Sequence, residues 1–320
     1  MSSSNDNHTS THCGFMATVG TFDGVHTGHQ YLLRQLKECA SACSLTPVAL
    51  VLDPHPLKIV CAERMPALLS DFEMRCQMIR AQGVEPVRLP FTEHTRSETS
   101  YEFMKRIHDE MGIKGLLVGH DNSFGSDRGN GITHYIQCGR ELGIHVIEAG
   151  RLANVSSSTV RRTLSAGDIE GGNRLLGYKY GIEGTVVHGE RLGRQIGFPT
   201  ANITPCDPLR LIPPAGVYAT LISTDESDNF KSSMTNIGYR PTVTGGDAPI
   251  RIETHIFNFA ADLYGQRLRL LFVSRLRDEI RFNSLEELKT QLHTDYTLAT
   301  QLLAECPTSN PELQNTPQWK

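Results

Sequence analysis

The stretch VGTFDGVHTGH, residues 19–29, decides how the first half of the chain is interpreted. The run at residues 15–19, whose last residue begins this stretch, predicts a strand. Near the other end of the stretch, Thr27 and Gln30 form a capping box, which predicts that a helix begins at Thr27. A glycine-rich turn between a strand and a helix is typical of an open parallel sheet, in which ligands bind at the carboxyl ends of the strands.

Strand and helix patterns alternate through the rest of this half. Strands are predicted at residues 48–52, 87–91, 115–118 and 145–148. Helices are predicted at residues 71–82, 101–111 and 133–142, and each is followed by a glycine that would end it in the left-handed conformation: Gly83, Gly112 and Gly143. The alternation predicts an α/β domain with crossover helices over residues 14–177.

The pattern changes after Gly177. Strands are predicted at residues 181–187, 217–223, 232–237, 251–257 and 267–273, without long helices between them, which indicates a small antiparallel β-barrel. A helix at residues 285–305 closes it, opened by a second capping box at Ser284 and Glu287. We expect this domain to cover residues 180–306, and residues 1–13 and 307–320 to be loose tails. The apolar stripe expected to lie on the barrel comprises Leu285, Leu288, Leu292, Tyr296 and Ala299.

Composition excludes several classes of protein. The chain has 31 Lys+Arg against 35 Asp+Glu, a formal net charge of −4, without the positive surplus that binding to a nucleic-acid backbone requires. Its apolar runs are shorter than the roughly 20 residues of a membrane span, and its first residues lack the pattern of a signal peptide. The eight cysteines form no CxxC pair, so we expect reduced thiols. The chain is therefore expected to be cytoplasmic, with neither nucleic acid nor membrane as a partner.

The turn after the first strand is the first candidate site. Gly20 and Gly24 allow a phosphate to approach the backbone, and His26 and His29 lie beside the free N–H groups of the helix start. The segment is not a GxGxxG fingerprint, and the chain contains no Walker A sequence. The HxGH pair fits nucleotidyl transfer, which needs positioning and positive charge around the α-phosphate rather than a covalent nucleophile. A capped turn with two surface histidines is the alternative.

A second phosphate-binding element is predicted at residues 155–161, VSSSTVR. Its serines, Ser157 and Ser158 among them, would open a helix, and Arg161 follows about one turn in, so hydroxyls, N–H groups and a guanidinium could hold a triphosphate. DPHP at residues 53–56 and the loop at residues 119–125 follow the second and fourth strands, and both are expected at the same edge of the sheet, as ligand loops or as plain turns.

Taken together, these segments resemble the bacterial bifunctional riboflavin kinase/FAD synthetase family from about residue 15 to residue 305. The motifs are GTFDGVHTGH, DPHP, HDNSFG and SSSTVR in the first half, and VVHGERLGRQIGFPTAN, GVYA, NIGYRPTV, ETH and LRDEIRF in the second. The resemblance implies a Rossmann-like nucleotidyltransferase domain that joins FMN to AMP from ATP. It also implies a riboflavin kinase-like β-barrel with a C-terminal helix that phosphorylates riboflavin.

The resemblance also implies roles for individual residues. Glu253 would be the general base toward the ribityl hydroxyl, and Thr200 and Asn202 would contact Mg²⁺ and the ATP phosphates. Transfer of the adenylyl group would depend on His26, His29 and Arg161. Nucleotide contacts are expected from Gly20, Phe22, Asp23, Gly24, Ser157, Ser158, Gly193 and Arg194. Flavin contacts are expected from Asp121, Arg277, Glu279 and Phe282. Asn122 and Ser123 stand where many members have an aromatic residue, so the ring contact in that loop stays open.

Three other functions remain compatible with parts of the pattern. HxGH alone also fits a nucleotidyltransferase acting on a phosphopantetheine or on nicotinamide mononucleotide, although the kinase-like motifs favour FMN. One of the two domains could be inactive. The chain could also be a flavin or nucleotide sensor without turnover, although a pure binder needs neither a base at Glu253 nor a clamp on the α-phosphate.

Overall fold

The computed structural model describes residues 14–119, 123–127, 131–189, 193, 196–224, 229–239, 250–304 and 306. The segments predicted to be loose tails, residues 1–13 and 307–320, lie outside the described residues. The chain divides into two compact units. The first combines Met1–Phe22, Gly28–Met65 and Ile79–Ala153, and the second combines Asp23–Thr27, Pro66–Met78 and Asn154–Lys320.

The first unit is built on a parallel sheet in the order β3-β2-β1-β4-β5. Its strands are β1 (Phe15–Gly20), β2 (Thr46–Asp53), β3 (Glu85–Pro90), β4 (Ile113–Val118) and β5 (His145–Glu148). The chain moves outward from β1 to β3 and then returns to the other side of β1, which creates a switch point between β1 and β4. Loops at the carboxyl ends of such strands are the usual ligand-binding elements of an open sheet. The predicted parallel α/β fold is confirmed.

The helices follow the predicted alternation, with short additions. In chain order, those preceding the barrel are α1 (Thr27–Ala42), α2 (Pro56–Val60), a 3₁₀ turn (Ala62–Arg64), α3 (Phe72–Ala81), α4 (Glu93–Ser97), α5 (Ser100–Met111), α6 (Gly131–Leu142), α7 (Ser157–Ser165) and α8 (Ile169–Leu176). The three predicted C′ glycines have positive φ angles, 74° at Gly83, 68° at Gly112 and 72° at Gly143. A side chain is strained in that conformation, which is why glycine ends these helices.

Apolar side chains on one face of the sheet pack against α5 and α6 in the core of the first unit. Strand residues such as Val19, Leu50 and Leu116 are almost completely buried against Phe103 and Ile107 of α5. Thr99 caps that helix in a complete capping box with Glu102. The core therefore fixes the sheet, and the functional loops extend from its edge.

The second unit contains a closed antiparallel barrel in the order β10-β7-β6-β11-β8-β9. Its strands are β6 (Gly181–Val187), β7 (Ala201–Pro205), β8 (Gly216–Ser223), β9 (Lys231–Tyr239), β10 (Ile250–Ile256) and β11 (Arg267–Arg277). A ladder of buried hydroxyls runs between strands: Thr220 lies 2.8 Å from Thr235, and Thr235 lies 2.9 Å from Thr254. The predicted barrel is confirmed.

Helix α9 (Leu285–Ala304) packs on β8, β9 and β11. Ala299 and Leu303 are buried there, with Leu292 and Tyr296 packed beside them. Leu285, which the predicted stripe included, is 56% exposed because it begins the helix beyond the barrel surface. The Ser284 hydroxyl accepts the Glu287 N–H at 3.2 Å as the capping box requires, whereas the Glu287 carboxylate accepts the N–H of Asn283.

None of the helices in the described part of the chain combines the length and apolar character that a membrane span requires. No disulfide joins the seven cysteines that fall within the described residues.

Candidate active sites

Asp23 is the centre of the turn that carries His26. The side chain is completely buried, and its carboxylate accepts the N–H groups of Leu69 and Ser70 at 3.0 and 2.9 Å. The Ser70 hydroxyl donates to the same carboxylate at 3.1 Å, and the Arg161 guanidinium pairs with it at 2.6 Å. Asp23 therefore joins the segment at residues 69–70 and the guanidinium of α7 to one turn.

Gly24 holds a conformation and a position that no other residue fits. Its φ angle is 77°, and a Cβ atom there would lie 2.9 Å from the Leu69 side chain. Its N–H donates to the Ser70 hydroxyl at 2.7 Å, and its carbonyl accepts from the Tyr178 hydroxyl at 2.6 Å. The glycine is therefore required by close packing and by the left-handed backbone.

His26 is 4% exposed. Burial lowers the pKa of its imidazole to about 4, with the Asp23 carboxylate opposing the shift and the Arg161 guanidinium adding to it. The protein itself thus keeps His26 neutral at pH 7. A neutral imidazole next to a phosphate acts as a hydrogen-bond donor and does not supply the positive charge that the HxGH pattern predicts.

The start of α7 has the cap that its serines predict. Ser156 is the N-cap, and its side chain accepts the Thr159 N–H at 3.2 Å. The Ser157 hydroxyl donates to the Asp23 carbonyl at 3.0 Å, whereas Ser158 is exposed. Arg161 also donates to the Ala67 carbonyl at 2.8 Å. Ser157, Arg161 and Asp23 are therefore brought together, as a hydrogen-bonded cluster in the second unit.

Gly20, Phe22 and His29 belong to the first unit. The buried Phe22 ring covers Gly20, where an added Cβ would lie 3.2 Å from the ring. Phe22 also contacts the His29 imidazole, with 5.3 Å between ring centroids. Gly20 therefore makes room for an aromatic side chain, and Phe22 orients the His29 ring.

The other loops at the sheet edge have local structural partners. His55 in DPHP caps α2, because its Nδ1 accepts the Leu57 N–H at 3.2 Å. In the fourth-strand loop, the Phe124 ring stacks on Tyr135 at 4.2 Å. Asp121, predicted to contact flavin, and Arg194, predicted to contact nucleotide, lie outside the described residues.

The barrel carries a cavity of about 250 Å³ that unites most of the kinase residues predicted from sequence. Its wall is mainly apolar with a smaller share of polar groups, which is the usual chemistry of a small-molecule pocket. Predicted residues that line it are Gly193, Thr200, Glu253, Arg277, Glu279 and Phe282. Lining residues that were not predicted are Ile196, Phe198, Val217, Met234, Asn236, His255, Ile280, Leu288 and Leu292.

Strand register places Glu253 beside Asn202, one of the two predicted metal ligands. Glu253 lies directly opposite Asn202 of β7 on one side and Asn236 of β9 on the other. Residues directly opposite in an antiparallel pair share one face of the sheet, so these three side chains share a face. Arg251, two residues earlier on the same strand, pairs with the Glu253 carboxylate at 3.1 Å.

The segment after β11 is anchored by an ion pair that sequence reasoning missed. Arg277 donates to both carboxylate oxygens of Asp295, at distances of 2.7 to 3.1 Å, and Asp295 is 3% exposed on α9. Arg277 also lies over the Phe282 ring at 5.9 Å. The Glu279 carboxylate packs on Gly238, where a Cβ atom would overlap it. Arg277 therefore connects the cavity wall to the last helix.

His255 links the cavity to the PTAN segment. Its Nδ1 lies 2.8 Å from the Pro199 carbonyl, and since a carbonyl only accepts, Nδ1 carries the proton. Burial lowers the pKa of His255, so the ring is neutral at pH 7. Thr200, the next residue, lines both this cavity and a second cleft of about 70 Å³, to which Asp262 and Tyr264 contribute.

Each half of the chain matches the model of a known family. The riboflavin kinase family model matches residues 176–303, and the FAD synthetase family model matches residues 8–163. A bifunctional riboflavin kinase/FMN adenylyltransferase of Pseudomonas fluorescens is 38% identical, over 92% of this chain and 94% of that protein. The protein of the same description from Escherichia coli K12 is 33% identical, over 88% and 90%.

Among solved structures, one described as a macrolide-efflux protein from Streptococcus pneumoniae has a TM-score of 0.79 and 26% identity, covering 90% of this chain and 94% of that one. This similarity concerns the fold. The sequence identities to the curated relatives extend across both sets of motifs, and on that ground the chain belongs to the family of bifunctional riboflavin kinase/FMN adenylyltransferases.

Proposed function

We propose that this chain makes FAD in two steps, phosphorylating riboflavin with ATP to give FMN and then joining FMN to AMP from a second ATP, with release of pyrophosphate. The observation that carries the kinase step is the position of Thr200, which lines both cavities of the barrel while Glu253 lines the larger one. A flavin in the larger cavity and the phosphates of ATP at Thr200 would meet at that edge.

In the kinase reaction, the apolar wall binds the isoalloxazine ring and the ribityl chain extends toward Glu253. The Glu253 carboxylate takes the proton of the terminal hydroxyl, that oxygen bonds to the γ-phosphorus, and the bond to ADP breaks. Phosphoryl transfer depends chiefly on positioning and charge neutralisation. The ion pair with Arg251 and the register with Asn202 orient the carboxylate for this task.

Mg²⁺ enters the proposal together with ATP. The Thr200 hydroxyl and the Asn202 amide are hard oxygen donors, which suits an ion that keeps water and substrate phosphates among its ligands. Gly189 supports this assignment, because a Cβ atom there would overlap the Asn202 amide and displace it. Thr200 and Asn202 would thus hold the Mg²⁺ that neutralises the phosphates of ATP.

In the adenylyl transfer, a phosphate oxygen of FMN attacks the α-phosphorus of ATP and pyrophosphate leaves. We assign His26 and His29 of HTGH to the phosphates, with His26 as a neutral N–H donor in accordance with its lowered pKa. Arg161 is oriented by Asp23, and Ser157 and Ser158 stand at the start of the helix that carries it. Gly193 and Arg194 are assigned to the ATP of the kinase step.

We assign the adenylyl transfer to a domain at residues 14–177 and the kinase to a domain at residues 180–306. The family models, which match residues 8–163 and 176–303, support this division. We also propose a cytoplasmic location, supported by the absence of disulfides among the cysteines that the structure describes.

Two variants test the assignment within one protein. Glu253→Gln should lower FMN formation from riboflavin by about 10² to 10⁴, the usual contribution of a general base, and leave adenylylation of supplied FMN nearly intact. His29→Ala should do the converse. The measurement is chromatographic separation of riboflavin, FMN and FAD after incubation with ATP and Mg²⁺. Equal loss of both activities in either variant would contradict the assignment, and wild-type protein that binds flavin without turnover would favour a sensor.

A further inference from the structure

Two buried tyrosines just before the first strand of the barrel each donate a hydrogen bond to a backbone carbonyl, and the two carbonyls belong to different segments. The Tyr178 hydroxyl donates to the Gly24 carbonyl at 2.6 Å, and the Tyr180 hydroxyl donates to the Leu211 carbonyl at 2.6 Å. Burial raises the pKa of both phenols, that of Tyr180 to about 12, so both are protonated donors. Tyr180 stabilises the barrel, whereas Tyr178 reaches the turn that carries His26.

The Gly24 carbonyl belongs to a strained peptide. Gly24 has a φ angle of 77° and Val25, which is 1% exposed, has a φ angle of 33°. Positive φ is strained for a β-branched residue such as valine. Rotation of the peptide between Gly24 and Val25 by half a turn would return Val25 to negative φ. The same rotation would move the Gly24 carbonyl away from its hydrogen-bond donor.

The structure keeps this peptide in place from both sides. Tyr178 holds its carbonyl, and the Ser70 hydroxyl accepts the N–H of Gly24 one peptide earlier at 2.7 Å. One residue beyond the strained peptide lies His26, whose burial depends on the path of this turn. The groups whose charges act on its imidazole are Asp23 on the same turn and Arg161 on α7.

We propose that Tyr178 is a positioning residue for adenylyl transfer: its hydroxyl locks the peptide between Gly24 and Val25 and thereby holds the His26 side chain in its buried position. This inference rests on the proposed role of His26. It assigns to the adenylyl transfer a residue one position beyond the domain boundary at residue 177, so the segment between the two catalytic domains completes the first site.

Tyr178→Phe is the direct test, and Tyr180→Phe is its matched control. Each removes one buried hydroxyl from a carbonyl at the same distance and keeps the ring. We expect Tyr178→Phe to lower kcat/KM for FAD formation from FMN by about 10- to 100-fold, since misplacement by about 1 Å can cost 10²-fold, with FMN formation within twofold of wild type. Tyr180→Phe should leave FAD formation within about threefold.

A titration that needs no turnover separates this inference from the proposed function. The His26 imidazole signal is identified by its loss in His26→Gln and followed by nuclear magnetic resonance against pH. Wild type and Tyr180→Phe should titrate near pH 4, and Tyr178→Phe should titrate at higher pH because water reaches the ring. The inference is overturned if the His26 imidazole titrates at the same pH in Tyr178→Phe and Tyr180→Phe. It is also overturned if Tyr178→Phe forms FAD as fast as Tyr180→Phe does. Wild type that forms no FAD while His26 still shifts in Tyr178→Phe would instead refute the proposed role of His26.

Discussion

Replacement of Asp295 by asparagine should weaken both the barrel and its flavin cavity. Asp295 is 3% exposed and accepts two hydrogen bonds through Nε and one through Nη2 of Arg277, which itself is 16% exposed. Removing one partner of a buried ion pair costs about 3–5 kcal/mol. Arg277 retains some access to water and asparagine retains one acceptor oxygen, so we expect a loss of about 2–3 kcal/mol. For a unit of this size that lowers Tm by about 4–12 °C.

The functional consequence follows from what Arg277 holds. Arg277, Glu279 and Phe282 line the cavity, and the link to α9 is the anchor of their segment. We expect the KM for riboflavin to rise in Asp295→Asn. Adenylylation of supplied FMN should be unchanged, because neither residue lies among the groups assigned to that reaction. The assay is FMN formation against riboflavin concentration, with thermal unfolding measured in parallel.

A double-mutant cycle decides whether the ion pair is the cause. Arg277→Ala with Asp295→Ala removes both charges, so the double variant should be less destabilised than the sum of the two single variants by at least about 1 kcal/mol. If the two losses add, or if Asp295→Asn leaves the KM for riboflavin unchanged, the reasoning that the pair anchors the cavity wall is refuted.

Two further predictions concern histidines. His255→Phe removes the N–H that holds the Pro199 carbonyl, and it should lower kinase kcat/KM about fivefold because one hydrogen bond contributes about 1 kcal/mol. His255→Asn keeps a donor and should retain more activity. Equal losses of kcat/KM in the two variants would contradict this prediction. The pKa of His26 is about 4 in the folded protein and 6.5 in the unfolded chain. Between pH 6.5 and pH 4 only the unfolded chain binds the proton, so the free energy of unfolding falls as the pH drops through this range. We expect this loss to be about 3 kcal/mol and absent in His26→Gln, measured by urea unfolding; identical pH profiles would refute it.

Local patterns predict the elements whose formation depends on local chemistry. β5 (His145–Glu148) and β6 (Gly181–Val187) are predicted to the residue because each contains β-branched residues; polar residues mark both ends of β5, and Gly181 marks the start of β6. Helix ends are equally visible, since Gly83, Gly112 and Gly143 stand at positions that require positive φ. These signals are contained in a few neighbouring residues, and no distant partner is needed to interpret them.

Two elements have conflicting local signals. β7 (Ala201–Pro205) is short, and Asn202 and the terminal proline disfavour a strand although Ile203 and Thr204 favour one. It becomes a strand through pairing with β6 and β10. α8 (Ile169–Leu176) contains Gly171 and Gly172, which disfavour helix. Gly172 is nevertheless needed, because a Cβ atom there would collide with the Leu164 side chain. In both cases tertiary packing overrides intrinsic propensity.

At the candidate sites as well, the sequence shows which residue types are present but not which groups they contact. The motif around Asp23 is recognisable in sequence, and the family resemblance implies that its carboxylate contacts nucleotide. The structure gives that carboxylate three protein donors from Leu69 and Ser70 and an ion pair with Arg161, which lies 138 residues further along the chain. A buried carboxylate so fully occupied has little capacity left for a ligand, and a second anion beside it would be repelled. We therefore interpret Asp23 as the residue that orients the Arg161 guanidinium. Arg277 and Tyr178 illustrate the point from the other direction, since neither the pairing with Asp295 nor the hydrogen bond to Gly24 leaves any periodic trace. A sequence indicates which groups are available for chemistry, whereas the fold determines which of them are held by protein and which face the substrate.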